Sequence, residues 1–336
     1  MYIKDIGVLM REKKALALFS GGLDSLIAVK WMEKLGFEVI PIFFETPFFS
    51  PEKAIRVANA NNLKLKIIDI SQEHLQMLKA PRYGYGKHYN PCIDCHGLMF
   101  KILNRYLEEF KADFLISGEV LNQRPMSQRY DALNAVKKLS TVGDLIIRPL
   151  SQKRLPDTLP IREAWVNKED LLDIQGRSRT QQLKIAEELN LKEVLNSGGG
   201  CLLTDKGFTT RLKELIDKDQ LDFDNIKYLK IGRHFRLNEK HKLVINRHHS
   251  EMEYIKNIIS NEVVLKCLNI PGPIAVLNTT LPISEEIISL AGSILLRYCP
   301  KAQDIEIVNY GKQFNLDFTI KCNRFTDTEI DPYRIN

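Results

Sequence analysis

Residues 15–29 read A-L-A-L-F-S-G-G-L-D-S-L-I-A-V. An apolar run from Ala15 to Phe19 leads into Ser20-Gly21-Gly22-Leu23-Asp24-Ser25, and a run with helical character follows from Leu26 to Leu35. That order predicts a strand, a glycine turn and a helix. Such a turn leaves several backbone N–H groups unpaired at the positive end of the helix dipole, which makes an anion cradle. The glycines let the backbone approach a phosphate closely, Ser20 and Ser25 add hydroxyl donors, and Asp24 can hold Mg²⁺ against phosphate oxygens. There is no Gly-Lys-Ser/Thr ending, so this is not the Walker P-loop. The plain alternative, a serine-rich turn without a ligand, is weakened by the strand and helix on either side.

Working outward, Phe37 to Phe44 repeats the buried-strand character after a helix that ends at Gly36, which completes a βαβ unit. Ser50 to Asn61 opens on Ser-Pro-Glu and reads as a helix, and Leu63 to Ile70, Ala112 to Ile116 and Leu145 to Leu150 read as further strands. The expected fold is α/β, a parallel doubly wound sheet. Ligands in such a sheet lie beyond the carboxyl ends of the strands, where Ser20, Glu45 and Ser71 fall. A second glycine turn, Ser117-Gly118-Glu119, sits at another strand end, with Gln123, Arg124, Gln128 and Arg129 supplying donors nearby. A plain turn followed by a solvated polar helix fits the same residues equally well.

The chain has 336 residues, enough for two domains, with the apolar and charged fractions of a folded soluble protein and a net charge of +6 that favours a polyanionic partner. No run reaches the roughly eighteen apolar residues of a membrane span, and Met1 to Lys14 is too charged for a secretory leader, so a cytoplasmic protein without membrane contact is expected. Six cysteines in a chain of this size do not form a dense disulfide framework. Cys92 and Cys95 lie at the start of a helix from Leu98 to Phe110, where the dipole is expected to lower a thiol pKa. Before them, Pro81 to Asn90 is a loop rich in tyrosine and basic groups, able to stack on bases or simply solvated. Cys201 follows three glycines, Gly198 to Gly200, that leave its thiol accessible. Together Cys92, Cys95 and Cys201 admit three readings. They are zinc with a fourth ligand such as His96, three ligands of a [4Fe–4S] cluster with one open iron, or a persulfide pair with a resolving thiol. Cys267, Cys299 and Cys322 fall in apolar segments and read as structural thiols.

Ser151 to Pro160 reads as basic, proline-rich turns, and a helix is expected near Lys168 to Ile174. The charged Gly176-Arg177-Ser178-Arg179 suits RNA phosphates or a solvated connector equally. Thr180 to Leu189 reads as a helix, and the character changes after Phe208. Leu212 to Leu229 reads as a helix, Ile231 to Leu237 with Lys242 to Asn246 as a hairpin, and helices and strands alternate thereafter. The expected division is 1–207 and 208–336, the second part a smaller α+β domain. The hairpin carries Arg233, His234, Arg236, Lys240, His241 and Lys242, with Arg247, His248 and His249 following, a basic edge for phosphates rather than a metal site.

The Ser20 to Ser25 loop resembles the PP-loop of the N-type ATP pyrophosphatases. With Asn90-Pro91-Cys92-Ile93-Asp94-Cys95, Ser117-Gly118-Glu119 and the Ser197 to Cys201 segment, the chain resembles the PP-loop tRNA thiolation enzymes, namely the 2-thiouridylases, 4-thiouridine synthases and cluster-dependent thiolases. From Lys230 onward, L-K-I-G-R-H-F-R-L and I-P-G-P resemble the RNA-binding domain of NFACT-type quality-control factors. The pattern departs from those enzymes in having no recognisable THUMP-like or rhodanese-like segment. The resemblance implies an ATP-dependent tRNA sulfurtransferase that adenylates a pyrimidine carbonyl oxygen, with uridine the favoured base, and replaces it with sulfur, releasing AMP and pyrophosphate. Ser20, Gly21, Gly22, Ser25, Ser117 and Gly118 would hold ATP, and Asp24 would hold Mg²⁺. Cys92, Cys95 and Cys201 would bind a [4Fe–4S] cluster, or share the persulfide work, with Cys95 or Cys92 carrying the persulfide and Cys201 closing a disulfide. The implied partners are tRNA and a sulfur donor, with a homo-oligomer left open. The rival expectations are a PP-loop amidotransferase or ligase and a non-catalytic RNA-binding factor.

Overall fold

The computed structural model describes residues 13–86, 88–194, 201–278 and 283–335. The glycines at 198–200, Lys87 and the segment before Lys13 lie outside the described residues. The chain divides into two compact units, Met1–Leu202 and Leu203–Asn336.

The first unit begins with β1 (Lys14–Leu18), α1 (Leu23–Lys34), β2 (Glu38–Glu45), α2 (Glu52–Ala60), β3 (Lys66–Asp69), α3 (Ser71–Lys79) and α4 (Cys92–Arg105). It continues through β4 (Phe114–Ser117), α5 (Tyr130–Ser140), β5 (Ile146–Ile147), α6 (Leu159–Arg162) and α7 (Thr180–Glu188). All five strands are parallel, in the order β3-β2-β1-β4-β5. The sequence K-A-L-A-L of β1 explains its central place. Ala15 and Ala17 face one layer, where their small side chains let α1 pack closely through Leu26, Ile27 and Val29. Leu16 faces the other, with Phe100 and Leu103 of α4 and Val136 of α5. Each face is therefore covered by helices, the arrangement a parallel sheet requires. Burying Leu16 contributes about 2 kcal/mol, and truncating it to alanine would cost about 2–5 kcal/mol. β2 lies on one side of β1 and β4 on the other, so the order reverses between β1 and β4. A crevice forms there at the strands' carboxyl ends, and this is where Ser20 to Ser25 and Ser117-Gly118 emerge.

The second unit comprises α8 (Lys206–Asp217), α9 (Phe223–Ile226), β6 (Arg233–Arg236), β7 (Lys242–Ile245), α10 (His249–Ile258), β8 (Val263–Cys267) and β9 (Ile274–Asn278). It ends with α11 (Glu285–Arg297), β10 (Ile305–Lys312), β11 (Phe318–Asn323) and α12 (Asp327–Ile330). Its six strands form one antiparallel sheet in the order β11-β10-β8-β9-β7-β6. Alternation sets the two faces. Leu243, Ile245 and Leu277 pack against Ile288, Ile294 and Leu295 of α11, and Val244, Val264 and Val276 pack against Tyr228 and Ile255. The helix expected over Leu212 to Leu229 is broken. α8 stops at Asp217, Asp219 turns into a left-handed conformation at φ 50°, and Asp222 caps α9 by accepting from the Asn225 N–H at 2.8 Å. Among the described residues no helix is long and apolar enough to cross a membrane.

Candidate active site

The turn after β1 is braced by its own hydroxyls. Ser25 Oγ donates to the Gly22 carbonyl at 2.9 Å and lies 3.2 Å from Ser20 Oγ, which accepts from the Gly22 N–H at 3.3 Å. Gly21 sits at φ +68°, and a Cβ there would meet the Ala54 Cα at 2.8 Å, so glycine alone fits between the loop and α2. Gly22 is the N-cap of α1, and no side chain caps that end. The first-turn amides are thus left for an anion.

The Ser117-Gly118-Glu119 turn rests directly on this loop, for a Cβ on Gly118 would come within 2.6 Å of both Cα and N of Ser25. Asp24 is fixed by a chain of amides. Gln182 of α7 donates to Gln123 Oε1 at 2.8 Å, and Gln123 donates to Asp24 Oδ2 at 2.6 Å. The other oxygen, Asp24 Oδ1, is buried and has no hydrogen-bond partner. Burial pushes the Asp24 pKa up against the pull of Gln123, Arg179 and Arg124. An orphaned carboxylate oxygen beside an open helix N-terminus fits a Mg²⁺ that accompanies a polyphosphate. Lys53 belongs to the same constellation, since burial and the nearby Arg56, Arg124 and Arg179 all push its pKa down. Four cationic side chains thereby surround the anion cradle.

The cysteines adjoin that space. Cys92 and Cys95 lie in the first turn of α4, and Leu202, next to Cys201, donates its N–H to the Phe48 carbonyl at 3.2 Å. The Phe48 ring packs 5.4 Å from His74, whose Nε2 lies 3.4 Å from Cys95 Sγ. Burial, and after it the Cys201 and Cys92 sulfurs and Asp94, push the Cys95 thiol far up. Cys95 thus lies within electrostatic reach of the other two thiols. Burial raises the Cys92 pKa as well, against Asn90 and Arg124. Arg124 acts electrostatically on Cys92, Asp24 and Lys53 alike. The lowering expected from the helix dipole is overturned, because desolvation inside α4's packing outweighs a dipole at that helix end. Soft sulfur is the donor type that an iron–sulfur cluster takes, and Cys92 and Cys95 are both costly to ionise alone. Among the described residues no three His, Cys, Asp or Glu side chains stand at metal-ligating spacing.

A charged core ties the turn to α4. Glu119 is 4 % exposed and accepts from His96 Nδ1 at 2.7 Å and from Arg148 Nε at 2.8 Å. Burial alone would raise its pKa, but Arg148 and His96 prevail and hold it down at about 2. As an ionised carboxylate only accepts, the His96 proton sits on Nδ1.

Two family patterns match the chain. Residues 10–154 match the thiamine biosynthesis protein (ThiI) family, and residues 232–334 match the NFACT protein RNA binding domain. The first unit is thus similar to the ThiI family over residues 10–154 and the second to the NFACT RNA binding domain over residues 232–334. Among curated relatives it is 26 % identical over 254 residues to the tRNA-specific 2-thiouridylase MnmA of Mesoplasma florum, covering 66 % of this chain and 64 % of that protein. It is 27 % identical over 182 residues to a probable tRNA sulfurtransferase of Thermococcus kodakarensis, covering 53 % and 44 %. It thus spans less than two thirds of either relative. Among solved structures it is similar to a 4-thiouridine synthetase–RNA complex with bound ATP, at 24 % identity and a TM-score of 0.38, covering 54 % of this chain and 42 % of that one.

In the ThiI-type domain, sequence reasoning missed Lys53 and His74. Lys53 carries no motif, and its place beside the loop follows from α2 packing on Gly21. His74 stands alone in an amphipathic helix, and only the fold sets it against Cys95. Arg179, expected at an RNA phosphate, instead acts on Asp24. In the NFACT-type domain the continuous basic edge expected for the hairpin is overturned. His234, His241 and Lys242 are buried, and Glu214 pairs with Arg236 and with Lys242 at 2.5 and 2.9 Å. Burial holds the Lys242 pKa down at about 8 despite that partner.

Proposed function

We propose that the chain is an ATP-dependent tRNA sulfurtransferase acting on a pyrimidine, with uridine the favoured base. The observation that carries this reading is the Gly118-Glu119 pair: Gly118 packs against the Ser25 backbone of the nucleotide loop, and Glu119 accepts from His96 on the helix that bears Cys92 and Cys95. One turn braced against both a nucleotide-binding loop and a thiol-bearing helix suits coupled activation and sulfur transfer. The names of the relatives, a 2-thiouridylase and a probable tRNA sulfurtransferase, agree with it.

In this reading Ser20, Gly21, Gly22 and Ser25 hold the phosphates of ATP, with the Ser117-Gly118 turn against the nucleotide. Asp24 would hold Mg²⁺, whose charge offsets that developing on the departing pyrophosphate. Lys53, Arg124 and Arg179 neutralise the same phosphates. Attack of the pyrimidine carbonyl oxygen on the α-phosphorus forms the adenylate and expels pyrophosphate. Sulfur then adds to the activated carbon and AMP leaves. Cys92, Cys95 and Cys201 would hold a [4Fe–4S] cluster, which supplies an open iron for inorganic sulfur. Without a cluster, Cys95 would carry a persulfide and Cys201 would close a disulfide with it as the sulfur departs, leaving a two-electron reduction to an external thiol. The NFACT-type domain would grip tRNA through its phosphates.

The test is mass spectrometry of tRNA nucleosides after reaction with ATP, Mg²⁺ and a sulfide source. A thiopyrimidine is expected with wild type and is expected to vanish in Cys201→Ala, while tRNA-dependent AMP formation continues. Ammonia-dependent AMP formation indifferent to Cys201→Ala would instead establish amidotransfer. Absence of AMP and pyrophosphate in the presence of tRNA would establish a non-catalytic RNA-binding factor. Iron and sulfide assays after anaerobic reconstitution separate the cluster from the persulfide route.

A further inference from the structure

Outside the active site, cationic side chains converge most densely in the second unit, around two adjoining cavities of about 270 and 330 Å³ that share Arg233, Arg247 and Tyr298. Arg211 and Arg334 line the second of them. The Arg233 guanidinium lies over the Tyr298 ring, 4.6 Å from its centroid, and donates to the Asn246 carbonyl at 3.3 Å. Arg211 donates to the Ile231 carbonyl at 3.1 Å, and Arg247 to the Gly232 carbonyl at 2.6 Å. These carbonyls hold the forks in place without neutralising them. Arg334 is paired with Asp327 and Asp331, but Arg211, Arg233 and Arg247 form no side-chain ion pair among the described residues. The carboxylate of Glu251 accepts from the Arg247 backbone N–H instead. Burial and the neighbouring Arg247 push the Arg211 pKa down, while the more distant Asp205 and Glu251 act the other way.

Two buried donors lack an acceptor at this place, Tyr298 Oη and Arg334 Nε. Leaving such groups unmet costs about 1–3 kcal/mol each. Three guanidinium forks held close without a carboxylate in ion-pair contact, together with two orphaned donors, call for an anion with more acceptor atoms than a carboxylate offers. A phosphate has that number, and guanidinium forks match it in bidentate fashion. α10 begins at His249, with no side-chain cap, and His248 and His249 line the first cavity. The combined volume exceeds what one phosphate needs and admits the attached nucleoside.

We infer that the Arg211–Arg233–Arg247 cavity seats a phosphate, with its nucleoside, of a single-stranded stretch of the RNA bound by the NFACT-type domain. This rests on the RNA-binding reading and specifies where in that domain the strand is held. The buried half of the basic hairpin takes no part, and specificity for a strand over a duplex follows from the recessed site.

The test uses the full-length chain and a fluorescently labelled tRNA transcript, with anisotropy recorded over a series of KCl concentrations. Arg211→Gln, Arg233→Gln and Arg247→Gln are each expected to weaken binding about tenfold and to lower the salt slope by about 1. Lys240→Gln, the same charge change at an exposed hairpin position, is expected to alter affinity less than about twofold. Arg233→Lys keeps the charge but loses the fork, and is expected to fall between wild type and Arg233→Gln. Circular dichroism melts identify any variant that fails to fold, and Arg247, being exposed, supplies the variant least coupled to folding. Wild-type binding with unchanged affinities in all three arginine variants would overturn the cavity assignment and leave the RNA reading standing. No binding of tRNA by wild type would overturn the RNA reading itself and the cavity with it. Arginine-dependent binding of a mononucleotide in equilibrium dialysis, with RNA affinity unchanged, would overturn the proposal in favour of a free nucleotide.

Discussion

Replacing Glu119 by glutamine tests the charged core that joins the Ser117-Gly118-Glu119 turn to α4. The carboxylate has a pKa near 2 against an ordinary value of 4.5. Because the folded value lies below the unfolded one, its contribution is fully present above pH ~4.5 and is lost as pH falls toward ~2. At 1.36 kcal/mol per unit this is about 3 kcal/mol at pH 7 and about 2 kcal/mol at pH ~3.5. Glutamine also leaves Arg148, 5 % exposed, as a buried charge without its partner, a loss of about 3–5 kcal/mol in comparable cases. One amide oxygen cannot serve both His96 and Arg148. The expected result is a destabilisation of about 3–4 kcal/mol at pH 7 that narrows by about 1 kcal/mol at pH ~3.5. Urea unfolding followed by tryptophan fluorescence isolates the effect, since both tryptophans, Trp31 and Trp165, lie in the first unit. A loss under about 1 kcal/mol at pH 7, or a gap that stays constant down to pH ~3.5, would refute the coupling of Glu119 to His96 and Arg148.

Gly118→Ala places a methyl group 2.6 Å from the Ser25 backbone, so ATP affinity is expected to fall at least about tenfold while the fold persists, read by equilibrium dialysis. Asp24→Asn is expected to reduce Mg²⁺-dependent pyrophosphate release by about 10²-fold without loss of thermal stability, because it removes a buried charge with an unmet oxygen. A lower melting temperature would contradict that account of Asp24. His74 is held neutral by burial, with a pKa down at about 4 from 6.5. The unfolded chain takes up the proton first, so the first unit should lose about 3 kcal/mol as pH falls from ~6.5 to ~4, and His74→Gln should flatten that slope in urea titrations.

The strand, glycine turn and helix over residues 15–29 were legible because each signal is local: alternation in β1, glycines at the turn, apolar spacing in α1. The parallel sheet followed from repetition of that unit. What stayed hidden depends on contacts between distant segments. Lys53 joins the nucleotide loop only because α2 packs against Gly21, and Arg179 reaches Asp24 because α7 returns to the sheet beside α1. The direction of the thiol pKa shifts could not be read from position in a helix, since desolvation comes from what packs over α4. The Asp219 break in the predicted long helix did have a local signal, the aspartates before Asn225, but an apolar spacing that ran through them masked it. The hairpin's basic residues were counted without regard to their face, and strand alternation with burial of β7 turns much of that charge inward.

Gly118 lies against the backbone of Ser25 while its neighbour Glu119 grips His96, so the nucleotide loop and the thiol-bearing helix are fastened at points one peptide apart. This sets the size of the piece that can be exchanged between relatives. A graft of α4 alone would deliver the sulfur atoms but strand its histidine opposite a foreign turn. The portable block therefore runs from β1 past α7 to Cys201, since Gln182 and Cys201 also reach this site, and in descent as in engineering the glycine loop and the thiol-bearing helix should travel as a single inheritance.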